Sequence, residues 1–305
     1  MKVVSFINYK GGVGKTTLAS NIAADLALRG KKVLCIDLDP QSNLTFSFYR
    51  VEEWKNNLQN NMTIKKWYDD FVNRNKQEKI SKYIVKPSKV NTMVNKNLDI
   101  ICSHLGLINI DLELATMLAG ASTKQQRNNF FNVYSHLRGE LKELQDKYDI
   151  VIIDCPPNFN IITKNALVAS DYYVVPAKPD YLSTLGFEEL ERNIVELVKE
   201  YNYNSELESD YKCSKINPES LGMIANMILV RNNKPISTQE NYITQVITNG
   251  RKVFDAKIRE NKTIYATAPE DGIPVVLNKP SDLTSKAVNK ELKDLTTEFI
   301  KKVGL

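Results

Sequence analysis

The sequence predicts an α/β fold with a doubly wound, mostly parallel sheet that is flanked by helices. Short apolar runs of strand length alternate along the chain with segments in which apolar residues recur at helical spacing. Neither an internal repeat nor a low-complexity linker interrupts this alternation. The chain has 305 residues, of which 42% are hydrophobic and 25% are charged, so it has enough apolar material to bury such a sheet. We therefore expect a single domain over residues 1–305.

The start of the chain predicts a strand, a glycine turn, a helix and a second strand. Residues 3–8 form a short apolar run, glycines interrupt it at 11–14, and apolar residues recur at helical spacing over 18–28. Gly30 ends that helix, and residues 32–37 are again apolar. This βαβ order implies parallel strands that are joined by a right-handed crossover.

The rest of the chain continues the alternation, with two longer segments inserted into it. Residues 51–97 are rich in Asn, Lys, Gln and aromatic side chains and are predicted to form a mostly helical insertion after the second strand. The polar stretch 202–219 is the second insertion. Further strands are predicted at 98–102, 148–154, 172–177, 221–230 and 262–266, and further helices at 110–118, 129–144, 186–201, 242–248 and 285–303.

A glycine-rich loop, Lys-Gly-Gly-Val-Gly-Lys-Thr-Thr, lies between the first predicted strand and the first predicted helix. Glycines allow several backbone N–H groups to converge on one anion, and the helix N-terminus behind them adds a partial positive charge. In such a P-loop Lys15 reaches the β and γ oxygens of a nucleotide, and the Thr16 hydroxyl is placed to ligate Mg²⁺. The predicted nucleotide-binding residues of the loop are Lys10, Gly11, Gly12, Val13, Gly14, Lys15, Thr16 and Thr17.

Carboxylates lie at the ends of two other predicted strands. Asp37 and Asp39 close the second strand, where alternation places both side chains on the same side. Residues 150–153 are apolar and are followed by Asp154, which we expect to hold Mg²⁺ through water because magnesium keeps much of its hydration shell. A buried carboxylate that caps the next helix is the structural alternative for Asp37 and Asp39.

This pattern resembles that of the deviant Walker A ATPases, the ParA/MinD family of P-loop NTPases. The resemblance depends on Lys10 at the start of the glycine loop, on Asp37-Leu38-Asp39-Pro40-Gln41 and on Cys155-Pro156-Pro157 after Asp154. Similarity to ParA proteins continues through 165–167, 174–176, 222–227 and 258–275. It therefore covers most of the chain and departs from the family mainly at the two insertions.

The resemblance implies an ATPase that needs ATP and Mg²⁺ and forms a homodimer around sandwiched nucleotides. In that family the early lysine crosses the dimer interface, so Lys10 is expected to touch the ATP of the partner. The family's catalytic roles then fall on Lys10, Lys15, Asp39 and Asp37, with Asp39 positioning the attacking water and Asp37 supporting it near the metal. Asn226 is implied as an adenine contact.

The same resemblance implies non-specific DNA binding on the C-terminal side of the dimer. The matching basic residues are Arg231 and Arg259, and Lys262 belongs to the local supply of positive charge, so the predicted DNA-binding residues are Arg231, Arg259 and Lys262. Such contacts neutralise phosphates and release counterions, which gives affinity without sequence readout. A solvated basic face would have the same sequence pattern, and the net charge of +5 is compatible with either interpretation.

The leading hypothesis is a partition ATPase whose ATP-bound dimer binds DNA and is released when an activator stimulates hydrolysis. The expected activator is a ParB-like or other centromere-binding protein. The expected location is the cytoplasm, with association to the nucleoid in the ATP-bound form. Four scattered cysteines and an N-terminal apolar run too short for a signal peptide agree with that location.

Three alternatives stay open at this point. A MinD-like regulator would use the apolar stripe of residues 291–305 on a membrane, but a closing helix has the same stripe, and we expect no stable membrane association. A ParA-like protein that positions a protein cargo would share the DNA chemistry. A metal-cluster carrier would need paired cysteines, and Cys102 and Cys155 lack the expected surroundings. His104 and His136 lie far from every motif and are predicted to be surface or structural residues.

Overall fold

The structure is a computed structural model that describes residues 1–73, 78–207, 214–231 and 234–305, without the side chain of Thr184. Within those residues the central sheet contains β1 (Lys2–Phe6), β2 (Val33–Asp37), β3 (Leu98–Ile101), β4 (Ile150–Asp154), β5 (Tyr172–Ala177) and β6 (Glu219–Ala225). All neighbouring pairs are parallel, in the order β3-β2-β4-β1-β5-β6. The α/β fold with a parallel sheet is therefore confirmed.

Helices cover both faces of this sheet. Those of the first half are α1 (Lys15–Leu28), α2 (Asn43–Phe46), α3 (Val51–Asn57), α4 (Ile64–Val72), α5 (Ser88–Asn91), α6 (Leu107–Met117), α7 (Thr123–Tyr134) and α8 (His136–Lys142). Those of the second half are α9 (Ile161–Ala169), α10 (Tyr181–Leu207), α11 (Ser237–Thr248), α12 (Lys262–Asp271) and α13 (Leu283–Val303). Short 3₁₀ turns occupy Ile80–Tyr83 and Val275–Leu277, and β7 (Val230–Arg231) pairs antiparallel with β8 (Lys234–Pro235).

The strand sequences are mostly apolar because both faces of the sheet are buried. On β4, Ile150 and Ile152 belong to the apolar core that also contains residues of α1 and α13, whereas Val151 and Ile153 belong to the core on the opposite face, with residues of α9 and α10. On β4, side chains that alternate between two covered faces are therefore apolar until the strand ends at Asp154. Polar and charged groups therefore collect at the carboxyl ends of the strands.

Two predicted strands differ from the structure. The β-branched and aromatic residues of 262–266 predict a strand, and this prediction is wrong, because these residues begin α12. Asn261 caps that helix, with its side-chain oxygen accepting a hydrogen bond from the Ile264 N–H at 2.9 Å. The predicted strand 221–230 ends instead at Ala225, and Met227 adopts a positive φ of 55° that no strand permits.

Local capping and turns also change several helix boundaries. The predicted helix 129–144 is two helices, α7 and α8, which are separated at Ser135, where ψ is 0°. α7 begins earlier than predicted because the Ser122 hydroxyl caps the Gln125 N–H. α10 is longer than predicted and extends to Leu207, while residues 208–213 of the second insertion lie outside the described residues.

The last helix, α13, packs on the sheet. Its apolar residues Leu292, Leu295, Phe299 and Val303 are buried and share a core with residues of α1. The stripe on which the membrane alternative depended is thus used for packing inside the domain. None of the helices in the described part of the chain is long and apolar enough to cross a bilayer.

The described parts of the insertion after β2 contain α3, α4 and α5, and α4 contacts α8 through an aromatic stack. The His136 ring of α8 lies between Trp67 and Phe71 of α4, with centroid distances of 4.2 Å and 3.7 Å and nearly parallel planes. Burial in this apolar stack lowers the pKa of His136 to about 3 from its ordinary 6.5. His136 is thus a structural residue that stays neutral in the folded protein.

The stack predicts an acid-sensitive stability. Below pH 6.5 the unfolded chain takes up a proton on His136 that the folded chain does not bind until about pH 3, so stability falls across this window as the pH drops. The slope from this residue is about 1.4 kcal/mol of unfolding free energy per pH unit. His136→Phe keeps a ring in the stack and removes the titrating group. Urea unfolding between pH 7 and pH 4 should therefore show a smaller loss of stability in the variant than in the original protein.

The other buried titratable groups are the same in both proteins, so their contributions to the pH dependence of stability cancel when the two proteins are compared. Parallel stability curves for the two proteins would contradict the assignment of the acid sensitivity to His136.

Candidate nucleotide-binding site

The carboxyl ends of β1, β2 and β4 meet at a cavity of about 410 Å³. Parallel strands deliver the residues that follow them to the same edge of the sheet, so three segments far apart in the chain become neighbours. The cavity is lined by Gly11, Gly12, Gly14, Lys15, Thr16, Thr17, Ser20, Asn21, Asp39, Gln41, Asn43, Ser47, Pro157, Met227, Tyr265, Ala268, Pro269 and Val275. Most of the predicted loop residues are thus brought together around one space.

The glycine loop has a backbone shape that requires glycine. Gly12 and Gly14 adopt φ values of +70° and +88°, and a Cβ on Gly14 would lie 2.1 Å from the side-chain nitrogen of Asn226. That nitrogen donates to the Val13 carbonyl at 2.8 Å. The predicted adenine contact Asn226 therefore lies beneath the loop and holds it in shape, and it is only 5% exposed.

A residue that sequence reasoning missed, Asn8, fixes the start of the loop. Its side-chain oxygen accepts a hydrogen bond from the Lys10 N–H at 2.9 Å, and its amide nitrogen donates to the Pro176 carbonyl of β5 at 2.8 Å. The available signal was an Asn at the end of the first predicted strand. A buried Asn needs hydrogen-bond partners for both of its polar atoms, which predicts contacts with neighbouring backbone. Asn8 thereby ties the glycine loop to the neighbouring strand.

Lys15 lies inside the loop and is buried, with 6% of its surface exposed. Its amine donates to the Asn8 and Lys10 carbonyls at the long distances of 3.3 Å and 3.5 Å. Carbonyl oxygens alone compensate a buried ammonium weakly, whereas phosphate oxygens in the cavity would pair with it directly. The arrangement fits an anion bound in the loop.

Thr16 and Asp154 form a pair that fits a divalent cation. The Thr16 hydroxyl donates to Asp154 Oδ2 at 2.6 Å, and Asp154 is completely buried. Among the described residues no donor reaches Asp154 Oδ1. Burial raises the pKa of Asp154 to about 7, although the Thr16 hydrogen bond and the nearby Lys15 oppose the rise. A hydroxyl and a buried carboxylate with an unused oxygen are hard ligands of the kind that Mg²⁺ prefers.

Asp37 and Asp39 have different surroundings in spite of their shared strand end. Asp37 lies beneath the cavity, where Oδ2 accepts hydrogen bonds from the Thr45 N–H and hydroxyl at 2.8 Å and 2.7 Å. Burial, strengthened by the neighbouring Asp154, raises the pKa of Asp37 well above its usual range. These contacts match the structural alternative, in which the carboxylate holds the short helix α2.

Asp39 lines the cavity itself. Its Oδ1 accepts a hydrogen bond from the Gln41 N–H at 2.9 Å, and its backbone carbonyl accepts one from the Ser103 hydroxyl at 2.7 Å. These two contacts hold the residue from both sides and keep its carboxylate at the cavity wall. Of the two acids, Asp39 is therefore the one that borders the cavity.

Lys10 lies near the cavity but points away from it. Its amine donates to Asp180 Oδ2 at 2.7 Å, in the loop between β5 and α10, and 39% of the Lys10 side chain is exposed. Lys10 is thus the more exposed of the two loop lysines.

An apolar wall of the cavity comes from residues that the sequence did not predict as site residues. It consists of Met227, Tyr265, Ala268, Pro269 and Val275. They form an apolar and aromatic surface suited to a nucleobase, in contrast to the polar loop that suits phosphates. The sequence analysis missed this wall because it predicted a strand at 262–266 where the structure has α12. The available signal for the helix was Asn261, a residue type that commonly caps a helix N-terminus.

Comparisons with known proteins agree with this geometry. A family model described as an AAA domain matches residues 1–209. The sporulation initiation inhibitor protein Soj of Bacillus subtilis is 30% identical, and the alignment covers 92% of this chain and 92% of Soj. A virulence-plasmid ParA family protein of Chlamydia psittaci is also 30% identical, over 98% of this chain and 96% of that protein.

The chain belongs to the ParA/Soj family of partition ATPases. Its fold is also similar to that of the McdA–ATP complex from Cyanothece, with a TM-score of 0.71, 22% identity and coverage of 100% of this chain and 97% of McdA. Membership of the ParA/Soj family makes this chain an ATPase of partition or positioning systems, and the cavity at the glycine loop is its candidate ATP site.

The three basic residues predicted to contact DNA differ in how much charge they expose. Arg231 on β7 is exposed, and Lys262 at the start of α12 is 88% exposed. Arg259 is held by Glu291 of α13, with its Nε donating to Oε1 at 2.7 Å. Lys262 has only a long ion pair with Glu260, at 3.9 Å, so Lys262 and the exposed Arg231 offer more positive charge to a partner than Arg259, whose side chain is 25% exposed and closely paired.

Proposed function

We propose that this protein binds ATP with Mg²⁺, dimerises around two nucleotides and hydrolyses ATP to ADP and phosphate. The observation that carries the proposal is that Lys15, Thr16 and Asp39 line one cavity beside a glycine loop, with the buried Asp154 directly behind Thr16. Thr16 and Asp154 would hold Mg²⁺, which when bound supplies positive charge next to the phosphoryl oxygens. The glycine-loop N–H groups and Lys15 bind and orient the phosphates.

Hydrolysis in this site is mainly a matter of positioning and electrostatics. Asp39 at the cavity wall orients a water molecule for in-line attack, and Lys15 stabilises negative charge on the transferred phosphoryl group. Lys10 supplies the same kind of stabilisation to the nucleotide of the partner subunit. The apolar wall around Tyr265 and Pro269 binds the base and excludes water from one side of the nucleotide.

We further propose that the ATP-bound dimer binds DNA without sequence preference and leaves it after hydrolysis. Arg231 and Lys262 support this step because they are exposed cations, and Arg259 would contribute only after leaving Glu291. A ParB-like or other centromere-binding activator that stimulates hydrolysis would release the dimer. The protein would then act in the cytoplasm, on the nucleoid while ATP is bound, to segregate a plasmid or chromosome or to position another cargo.

DNA retention at increasing salt tests this step. We expect Asp39→Ala protein with ATP and Mg²⁺ to bind random-sequence DNA at low salt and to release it steeply as salt rises, because neutralising DNA phosphates releases counterions. Replacing both Arg231 and Lys262 by Ala should weaken binding and reduce the salt slope by about one unit for each phosphate that is no longer neutralised. The measurement is fluorescence anisotropy of labelled DNA across a salt series.

The matched control is Lys257→Ala, because the Lys257 amine is paired with Glu240 at 2.7 Å and offers less charge to DNA. Absence of any ATP-dependent DNA binding at low salt would contradict the proposed DNA step, and equal salt slopes in the double variant and the control would exclude Arg231 and Lys262 as DNA-binding residues.

A further inference from the structure

The ion pair between Lys10 and Asp180 joins the glycine loop to the residue just before α10. The Lys10 amine donates to Asp180 Oδ2 at 2.7 Å, across 170 residues of sequence. The backbone of Lys10 is fixed by Asn8, so the side chain starts from a defined position. In the single subunit, the amine is therefore directed toward the start of α10.

Asp180 is itself well positioned to hold a cation. Its Oδ1 accepts a hydrogen bond from the Ser183 N–H at 2.8 Å, which fixes the carboxylate at the N-terminus of α10. Partial burial acts to raise the pKa of Asp180, but the hydrogen bonds from Lys10 and Ser183 lower it below its ordinary value. Asp180 is thus an ionised and oriented acceptor for the Lys10 amine.

The corner beside this ion pair is unusually apolar for an exposed surface. Tyr181, Leu182 and Leu185, on the first turns of α10, are 59%, 65% and 46% exposed. Exposed apolar residues grouped in this way are typical of a surface that another molecule covers. The Lys10–Asp180 pair therefore lies at the edge of a surface suited to association.

We propose that Asp180 positions Lys10 on its own subunit and releases it only when a second ATP-bound copy takes over the amine. This inference rests on the proposed dimer, in which Lys10 reaches the partner's phosphates. In that dimer the amine leaves Asp180 for the partner's cavity, so dimerisation breaks the pair in both subunits. Asp180 is a positioning residue that makes dimerisation less favourable until phosphates replace its carboxylate.

The size of the effect follows from the exposure of the pair. Both side chains are about one third exposed, at 39% and 34%, so the pair is screened by solvent. Pairs of this kind shift an equilibrium by roughly two- to fivefold. Because a two-fold dimer breaks two of them, removal of Asp180 should tighten the dimer by roughly tenfold.

The test measures ATP-dependent dimerisation by analytical ultracentrifugation, using Asp39→Ala protein with saturating ATP and Mg²⁺. Adding Asp180→Asn keeps an N-cap oxygen for Ser183 and removes the charge that holds Lys10. We expect the dimer dissociation constant to fall about tenfold. A dissociation constant that is unchanged or higher would overturn the inference, and a higher one would indicate that Asp180 contacts the partner instead.

Glu143→Gln is the matched control, because it removes one carboxylate from the exposed Lys79–Glu143 pair, also at 2.7 Å, and changes the net charge equally. It should leave the dissociation constant unchanged. If the dimer dissociation constant fell equally in both variants, the change in net charge would explain the effect, and the inference would be overturned. If Asp39→Ala protein stays monomeric with ATP, the proposed dimer itself fails, and this is visible before Asp180 is changed.

A second measurement examines the pair in the nucleotide-free subunit. Asp180→Asn should raise the rate at which an amine-reactive reagent labels Lys10 several-fold, as judged by peptide mass spectrometry, with labelling of Lys79 in Glu143→Gln protein as the reference. Unchanged labelling of Lys10 would show that Asp180 does not hold it and would overturn the inference whatever the dimer does.

Discussion

Replacing Lys15 by Gln is expected to lower the affinity of the single subunit for ATP by about 100-fold or more, whereas Lys10→Gln should change it less than about threefold. The Lys15 amine is buried in the glycine loop, so no solvent cation can replace it beside the phosphates. Lys10 points out of its own cavity toward Asp180, so its removal should instead prevent ATP-dependent dimerisation. Binding of a fluorescent ATP analogue and sedimentation of the same samples measure the two effects.

The two lysines serve as controls for each other, since both variants remove one positive charge from the same loop. Circular dichroism and thermal unfolding show whether each variant is folded. Equal reductions of ATP affinity in the two variants would mean that Lys10 binds the nucleotide of its own subunit, and the proposed exchange across a dimer would then be wrong.

Replacing Asp39 by Ala is expected to reduce ATP hydrolysis by about 100-fold or more and to leave ATP affinity within about threefold. Asp39 lines the cavity and is held by Gln41 and Ser103, so its carboxylate can orient water. A residue that acts on the attacking water contributes to the transition state and little to ground-state binding. Single-turnover hydrolysis together with equilibrium ATP binding separates these two quantities.

Asp37→Asn is the informative comparison for Asp39. The Asp37 carboxylate accepts two hydrogen bonds from Thr45 beneath the cavity. This change should therefore lower the free energy of unfolding, and the hydrolysis rate of the folded protein should fall much less than in Asp39→Ala protein. If Asp37→Asn protein were stable and as inactive as Asp39→Ala protein, the division of roles between the two acids would have to be reversed.

Much of the fold was predictable because its signals are local. Strands buried on both faces need unbroken apolar runs, and 150–153 is such a run that ends in an acid. The glycine loop is likewise determined by residues next to one another in the chain. In contrast, the run Thr-Ile-Tyr near residue 264 has the composition of a strand, and only the cap from Asn261 and the packing of α12 over the cavity make it helical.

The candidate site also has features that local sequence predicts and features that only the folded chain determines. The predicted sites for phosphates and Mg²⁺ rest on local motifs, because Lys15, Thr16 and Asp154 each belong to a short segment whose chemistry depends on neighbouring residues. Three other features came from the folded chain alone: Asn226 supports the loop from 213 residues away, Glu291 neutralises Arg259, and Asp180 holds Lys10. These partners become neighbours only when distant segments pack together. Whether a side chain such as Lys10 or Arg259 can bind a ligand therefore depends on residues outside its own motif.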